Sequence, residues 1–180
     1  MHRLRAPGFR VQVRSQVRWS WRQQRRPVSR HAARRGAEPA AIKWETRGYQ
    51  ADFDNGNANV GALIECCSGA SRNGVRPRPD RAKAGQIVRA AVADGEMPKL
   101  LATFSDGATL TKAYKPGEWN QMHLVARGRT MMFFINGVLM SVFIDDHPTK
   151  FLPKGVLSIQ LEGRGDNTAS FRNLWLKNLP

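Results

Sequence analysis

The sequence predicts an all-β fold: a single sandwich or jelly roll within its 180 residues. Three observations point there. From Gly48 onward, short alternating runs are separated by Gly, Asn, Asp and Pro, the pattern of half-buried strands punctuated by turns. No helical segments of about 10–15 residues intervene to make the crossovers of a parallel sheet. Asn136-Gly137 stands between two β-forming runs, and both residues tolerate the positive φ angles of a type I′ hairpin turn.

In chain order, strands are expected at Gly48–Phe53, Val60–Ile64, Gln86–Ala91, Lys99–Phe104, Trp119–Arg127, Thr130–Ile135, Val138–Ile144, Val156–Glu162 and Ser170–Lys177. Gln121, His123 and Val125 alternate with Met122, Leu124 and Ala126, so the strand ahead of the hairpin joins it in three neighbouring antiparallel strands. A short helical turn is expected only around Asp94–Leu101. No repeat at periods of about 20–50 residues suggests a propeller or solenoid.

Residues 1–47 have a different texture. They carry 12 Arg and 1 Lys against Glu38 and Glu45, a net +11, whereas the remaining 133 residues carry a net +4. The overall charge of +15 therefore belongs to the leading segment. That segment reads as basic and irregular or disordered, with one possible strand at 9–15, and residues 48–180 read as the sandwich domain. Trp19 and Trp21 interleave with Arg18 and Arg22, but no nucleic-acid module accompanies them, so no nucleic-acid partner is expected. An Arg-rich, acid-poor beginning suits an organellar transit peptide, but without an amphipathic pattern; no apolar core of a secretory signal peptide follows the basic start. No apolar run reaches the roughly 18 residues of a membrane-spanning helix. The only cysteines, Cys66 and Cys67, are adjacent and cannot build a disulfide framework or a spaced zinc site.

The segments GYQADFDNGNANVGALIE, EWNQMHLVARGRTMMFFINGVLMSVFID, GVLSIQLEG and FRNLWLKNL are together similar to the 3-keto-disaccharide hydrolase family. That family has a G-Y-Q-x-D strand, then G-x-L-Y-E, W-N-x-x-x-I-x-A-x-G, N-G-V, G-x-I-x-L-Q-x-H and F-R-N-I-x-L-K-x-L. Here these fall at Gly48 to Asp52, Gly61 to Glu65, Trp119 to Gly128, Asn136 to Val138, Gly155 to Leu161 and Phe171 to Leu179. The resemblance implies a concanavalin-like jelly-roll β-sandwich, incomplete at its N-terminus, with Phe9–Ser15 as a remnant of a further family strand. It also implies a carbohydrate substrate, cleavage of 3-keto-disaccharides or 3-keto-glycosides, and a periplasmic or extracellular location. The sequence departs from the pattern at Ile64, where the family has Tyr, and at Glu162, where it has His. Residues 16–43 and 66–83 also match poorly, and the expectation is that frame errors or local divergence altered them and that the true start lies upstream.

A 3-keto sugar acidifies its C2 hydrogen, because the carbanion is stabilised as an enolate on the adjacent carbonyl. A carboxylate in reach can take that proton, and a donor or metal can hold the enolate oxygen. The candidate catalytic groups are Asp52, Glu65 and Glu162. Gln50, Asp54, Arg72 and Gln160 are candidate substrate-binding groups, Arg72 standing in for the family's loop arginine. A divalent metal ion is a candidate cofactor, with no ligands assigned. Gln50, Asp52 and Asp54 share strand parity and face one way if the strand is regular; a sugar-binding face and a plain solvent face both fit that pattern. Glu65 reads equally as a strand-end charge. His123 is read as structural. Trp119, Phe133, Phe171 and Trp175 suit the core better than a sugar ring. Asp145-Asp146 reads as a solvated turn or a calcium ligand pair, and Asn136 as a turn residue only.

Overall fold

The computed structural model describes residues 3–5, 8–19, 48–53, 59–66, 81–93, 96–157, 159 and 167–179. They form strands β1 (Arg3–Arg5), β2 (Gly8–Trp19), β3 (Gly48–Ala51), β4 (Leu63–Cys66), β5 (Arg81–Ala82), β6 (Gln86–Arg89), β7 (Lys99–Thr103), β8 (Asn120–Arg127), β9 (Thr130–Ile135), β10 (Val138–Ile144), β11 (Lys154–Val156) and β12 (Asn167–Asn178), with one short helix, α1 (Gly107–Thr111). The main sheet runs in the order β12-β2-β8-β9-β10-β6-β7, and a smaller one in the order β3-β4-β5, while β1 and β11 pair as a ribbon. Every pairing in the main sheet is antiparallel except β10 with β6. Among the described residues no helix is long and apolar enough to cross a membrane.

The two sheets share one core, which makes the fold an all-β sandwich. Leu63 and Ala82 from the small sheet, with Val60 from the turn before β4, meet Val88, Met122, Met131, Phe133, Ile135, Met140 and Phe143 from the large one, with Tyr49, Ala51 and Phe53 packed against them. The alternation that predicted the strands does this work: Met131, Phe133 and Ile135 of β9 are buried while the residues between them are half-buried. The backbone of β2 lies between β8 and β12, paired from Gly8 with Arg127 to Ser15 with Asn120. The large sheet therefore draws on backbone from both sides of Gly48.

The hairpin forms where Asn136-Gly137 places it, with φ of 50° and 81°. Asn136 does more than turn the chain. Its Oδ1 accepts from the Gln121 amide at 2.8 Å, and its Nδ2 donates to Ala113 O at 2.7 Å and to Asn120 Oδ1 at 2.8 Å. Asn120, which is buried, completes the network by accepting from Lys115 N at 2.8 Å and donating to Lys115 O at 2.7 Å and Glu118 O at 3.0 Å. The Trp-Asn pair of the sequence pattern thus carries a structural asparagine that ties β8 to the connection after α1.

Several elements differ from expectation. The strand expected at Val156–Glu162 is instead Lys154–Val156, because β11 pairs there with β1 and residues 157 and 159 lie outside any ladder. The helical turn is not at Asp94–Leu101, because Lys99–Thr103 pair with β6 as an edge strand. It forms instead at Gly107–Thr111, where the Asp106 side chain accepts from Ala108 N, Thr109 N and Thr109 Oγ1, an N-cap that satisfies orphan helix amides. The strand expected at Val60–Ile64 starts later, at Leu63, because Asn59–Gly61 turn, with Gly61 at φ 82°. Strand β10 carries a bulge between Leu139 and Ser141, so the consecutive residues Met140 and Ser141 are both fully buried.

Replacing Asn120 with Ala strands several buried polar groups at once. It should cost about 2–4 kcal/mol in urea unfolding, at about 1–3 kcal/mol for each buried group left unpaired. A second expectation concerns acid. The Asp106 carboxyl is held below its ordinary value, first by the Thr109 hydroxyl and then by the Thr109 and Ala108 amides. A folded pKa that is depressed gives stability present above the unfolded value and lost as pH falls through the folded one. The Ala108 and Thr109 amide signals should therefore keep their helical positions down through the ordinary aspartate range and lose them only as pH falls below it, whereas Asp106→Asn should remove most of that transition.

Candidate functional site

The candidate residues on β3 and β4 are positioned by one antiparallel ladder. Tyr49 lies opposite Glu65, Gln50 opposite Ile64 and Ala51 opposite Leu63. The pairing continues past the strand end, with Asp52 N donating to Ala62 O and Gly61 N donating to Asp52 O, both at 2.9 Å. Directly opposed residues share a face, and successive residues alternate faces. Tyr49, Ala51 and Phe53 pack on the core, so Gln50 and Asp52 share the other, outward face of the ladder, with half-buried Ile64 and fully buried Ala62 beside them. Glu65 shares the inward side with Tyr49. The two described carboxylates proposed as catalytic are therefore on opposite faces of one small sheet. Gln50, Asp52 and Glu65 are all half-buried.

The inward side holds a polar cluster that the sequence did not reveal. The Tyr49 hydroxyl donates to Asp145 Oδ2 and accepts from Leu152 N at 3.3 Å. Asp145, fully buried at the end of β10, also accepts from His147 N at 3.0 Å through Oδ1. Arg129 closes the same corner, donating to Asp145 O at 3.1 Å and His147 O at 3.0 Å, with its guanidinium 4.6 Å from the Phe151 ring centre. His147 Nδ1 accepts from Thr149 N at 3.2 Å and Lys150 N at 3.1 Å, which in the neutral ring places the proton on Nε2. Asp146 instead points to the surface and pairs with Arg89 at 3.0 Å. The Asp145-Asp146 pair is therefore neither a solvated turn nor a ligand pair: its first carboxylate ties the small sheet to the large one. The sequence signals were the Tyr of the Gly-Tyr-Gln strand and the Asp-Asp-His run that ends β10.

The remaining candidates divide as follows. Asp54, Arg72, Gln160 and Glu162 lie outside the described residues. His123 is half-buried and stacks on Phe134, ring centres 5.2 Å apart. Phe133 is in the core, and Phe171 meets Phe53 edge-on at 6.2 Å. Trp119 lies under the Arg172 guanidinium, 3.9 Å from its ring centre. Trp175 is not a core residue, being 69% exposed. Among the described residues no three His, Cys, Asp or Glu side chains come together to hold a metal ion.

This geometry can be set beside known proteins. The profile of the 3-keto-alpha-glucoside-1,2-lyase-like domain matches residues 11–177, from within β2 to within β12. The chain belongs to this family. The match spans both sheets, so the strands that order β3, β4, β8, β9 and β10 are those of a 3-keto-alpha-glucoside-1,2-lyase-like domain. No curated protein and no solved structure matches the chain.

The adjacent aspartates offer a test of the inward cluster. Tyr49→Phe keeps the ring but removes a donor to a buried carboxylate, and should cost about 1.5–3 kcal/mol in denaturant unfolding. Asp146→Ala removes only a partly exposed ion pair and should cost less than about 1 kcal/mol. Equal effects would show that the Tyr49–Asp145 bond is not a special tie between the sheets.

Proposed function

We propose that this chain cleaves 3-keto-glycosides by elimination followed by hydration, with Asp52 as the base on the outward face of β3. The observation that carries the reading is the family match over nearly the whole chain, joined to a carboxylate and an amide on one face of a rigid ladder. A carboxylate there can take the C2 proton of a 3-keto sugar, leaving an enolate on the C3 oxygen. The enolate electrons then form the C1–C2 double bond as the C1–O bond to the leaving sugar breaks, and that sugar leaves with a proton. Water adds at C1 and a proton returns to C2, giving the free 3-keto sugar.

Asp52 is favoured over the other described carboxylates by the face it shares with Gln50. Asp145 is fully buried and engaged by Tyr49 and His147 N. Glu65 is on the other side of the ladder from Gln50, so it cannot share a sugar with Asp52. Gln50 supplies amide groups for a substrate hydroxyl one residue pair away. The same reading carries with it a location outside the cytoplasm, which cell fractionation tests.

A second reading is binding without turnover. What favours it is Ile64: directly opposite Gln50, it puts an apolar side chain on the outward face where the family pattern has a Tyr hydroxyl.

Incubating the purified protein with a 3-keto-disaccharide in deuterated water separates the two. Elimination and hydration should release both sugars and leave deuterium at C2 of the 3-keto product. Asp52→Asn should lower the rate by about 10²–10⁴-fold, the usual contribution of a general base, with the folded state retained by circular dichroism. Saturable binding with no release would establish the second reading, and release with the C2 hydrogen retained would exclude elimination.

A further inference from the structure

The face of the large sheet that points away from the core carries a second constellation. Arg172 pairs with Arg14, which pairs with Gln121; Trp175 pairs with Gln12, which pairs with His123. Arg14 and Gln12 are two residues apart on β2, so Arg172 and Trp175 share a face about 7 Å apart, two strand residues. That face is the outer one, since Leu176 and Leu124 pair with the same β2 residue, Val11, and Leu124 packs on the core. Phe171, just before Arg172, likewise meets Phe53 on the core side.

An irregularity in the edge strand β12 makes this arrangement. The register shifts between Arg172 and Trp175, and Asn173 takes a φ of 54°. Without the shift, the three-residue interval would put Arg172 and Trp175 on opposite faces. With it, both face outward, as bulges re-aim side chains near functional sites. The Trp175 indole is left 69% exposed and Leu174 55% exposed, while Arg172 is steadied by the Trp119 ring at 3.9 Å.

We infer that this surface is a carbohydrate-binding platform, separate from the face of the small sheet that carries Gln50, on which one ring of a disaccharide stacks against Trp175 and the other offers its hydroxyls to Arg172. The chemistry fits a sugar: an exposed indole covers the apolar C–H face of one ring, and a guanidinium two strand residues along, fixed over Trp119, supplies hydrogen-bond donors for the hydroxyls of the next. The inference rests on the carbohydrate reading of the family and not on turnover. The platform would hold a glycan near the protein, whereas Asp52 acts on the opposite sheet.

Sucrose, which lacks the 3-keto group, probes the platform without being a substrate. Its titration should move the Trp175 indole N–H signal saturably in a nitrogen–proton correlation spectrum. Trp175→Ala should weaken sucrose binding by at least about tenfold with unchanged melting temperature, and Arg172→Ala by about fivefold, both with unchanged turnover of a 3-keto-disaccharide. Sucrose binding that survives Trp175→Ala would overturn the inference, as would saturation of the Trp175 signal by oligothymidylate alone. Because turnover is measured separately, a protein that binds sucrose here but releases no product would refute the catalytic reading and leave the platform standing.

Discussion

One extra residue, Met140, fixes how the two sheets meet. In a regular strand Met140 and Ser141 would point to opposite faces. The bulge turns both inward, where both are fully buried. Met140 then lies so close to Gly61 that a Cβ there would come within 2.5 Å of Met140 Cε, and Gly61 also needs its φ of 82°. Ser141 Oγ donates to Gly61 O at 2.8 Å. Position 61 therefore has no alternative to glycine. The turn it sits in leads directly into the β3–β4 ladder. Four residues beyond Ser141, Asp145 takes the Tyr49 hydroxyl, so the small sheet is held at both ends of its first strand. With that strand held, period-2 alternation leaves one outcome, Tyr49 inward and Gln50 with Asp52 outward.

Local signals in the sequence carried the β9–β10 hairpin and most strands, because turn chemistry and alternation are properties of neighbouring residues. Asn136-Gly137 needed nothing distant to be read. The tertiary consequences were not local. Asn136 looks like a turn residue until Ala113, Asn120 and Gln121 are brought to it. Asp145 and Asp146 look alike in sequence, yet one is fully buried and the other partly exposed, a difference set by which face of the β10 end meets Tyr49. The same limit explains the candidate site. Shared parity of Gln50 and Asp52 was legible within one strand. The opposite facing of Glu65 follows from a cross-strand register, Tyr49 against Glu65, that a list of strands does not contain. The helix was misplaced because weak propensity around Asp94–Leu101 lost to pairing with β6, while the Asp106 cap acts through a single side chain.

The opposite facing of the two carboxylates constrains chemistry. Hydrolysis by paired carboxylates requires both to flank one glycosidic bond, about 5–10 Å apart with the sugar between them. A β-sheet between Asp52 and Glu65 removes that option for this pair. Elimination asks for less, since the 3-keto group supplies the electron sink and a single base starts the reaction. The proposed elimination is thus a route in which the substrate carries most of the electronic burden and the protein supplies one proton acceptor and a rigid surface.

Ile64 bears on whether that surface completes the reaction. It lies opposite Gln50, so a hydroxyl donor at this position would reach a sugar held over the ladder, and an isoleucine offers only packing. Developing charge on the enolate oxygen needs a donor aimed at it, and losing one such donor typically costs about 10²–10³ in rate. Gln50, through its amide N–H groups, is the neighbouring residue on the same face able to take that task. If it does, the loss at Ile64 lowers the rate without abolishing it. A mutation restoring the phenol, Ile64→Tyr, then acts on the enolate and should raise kcat more than it changes KM.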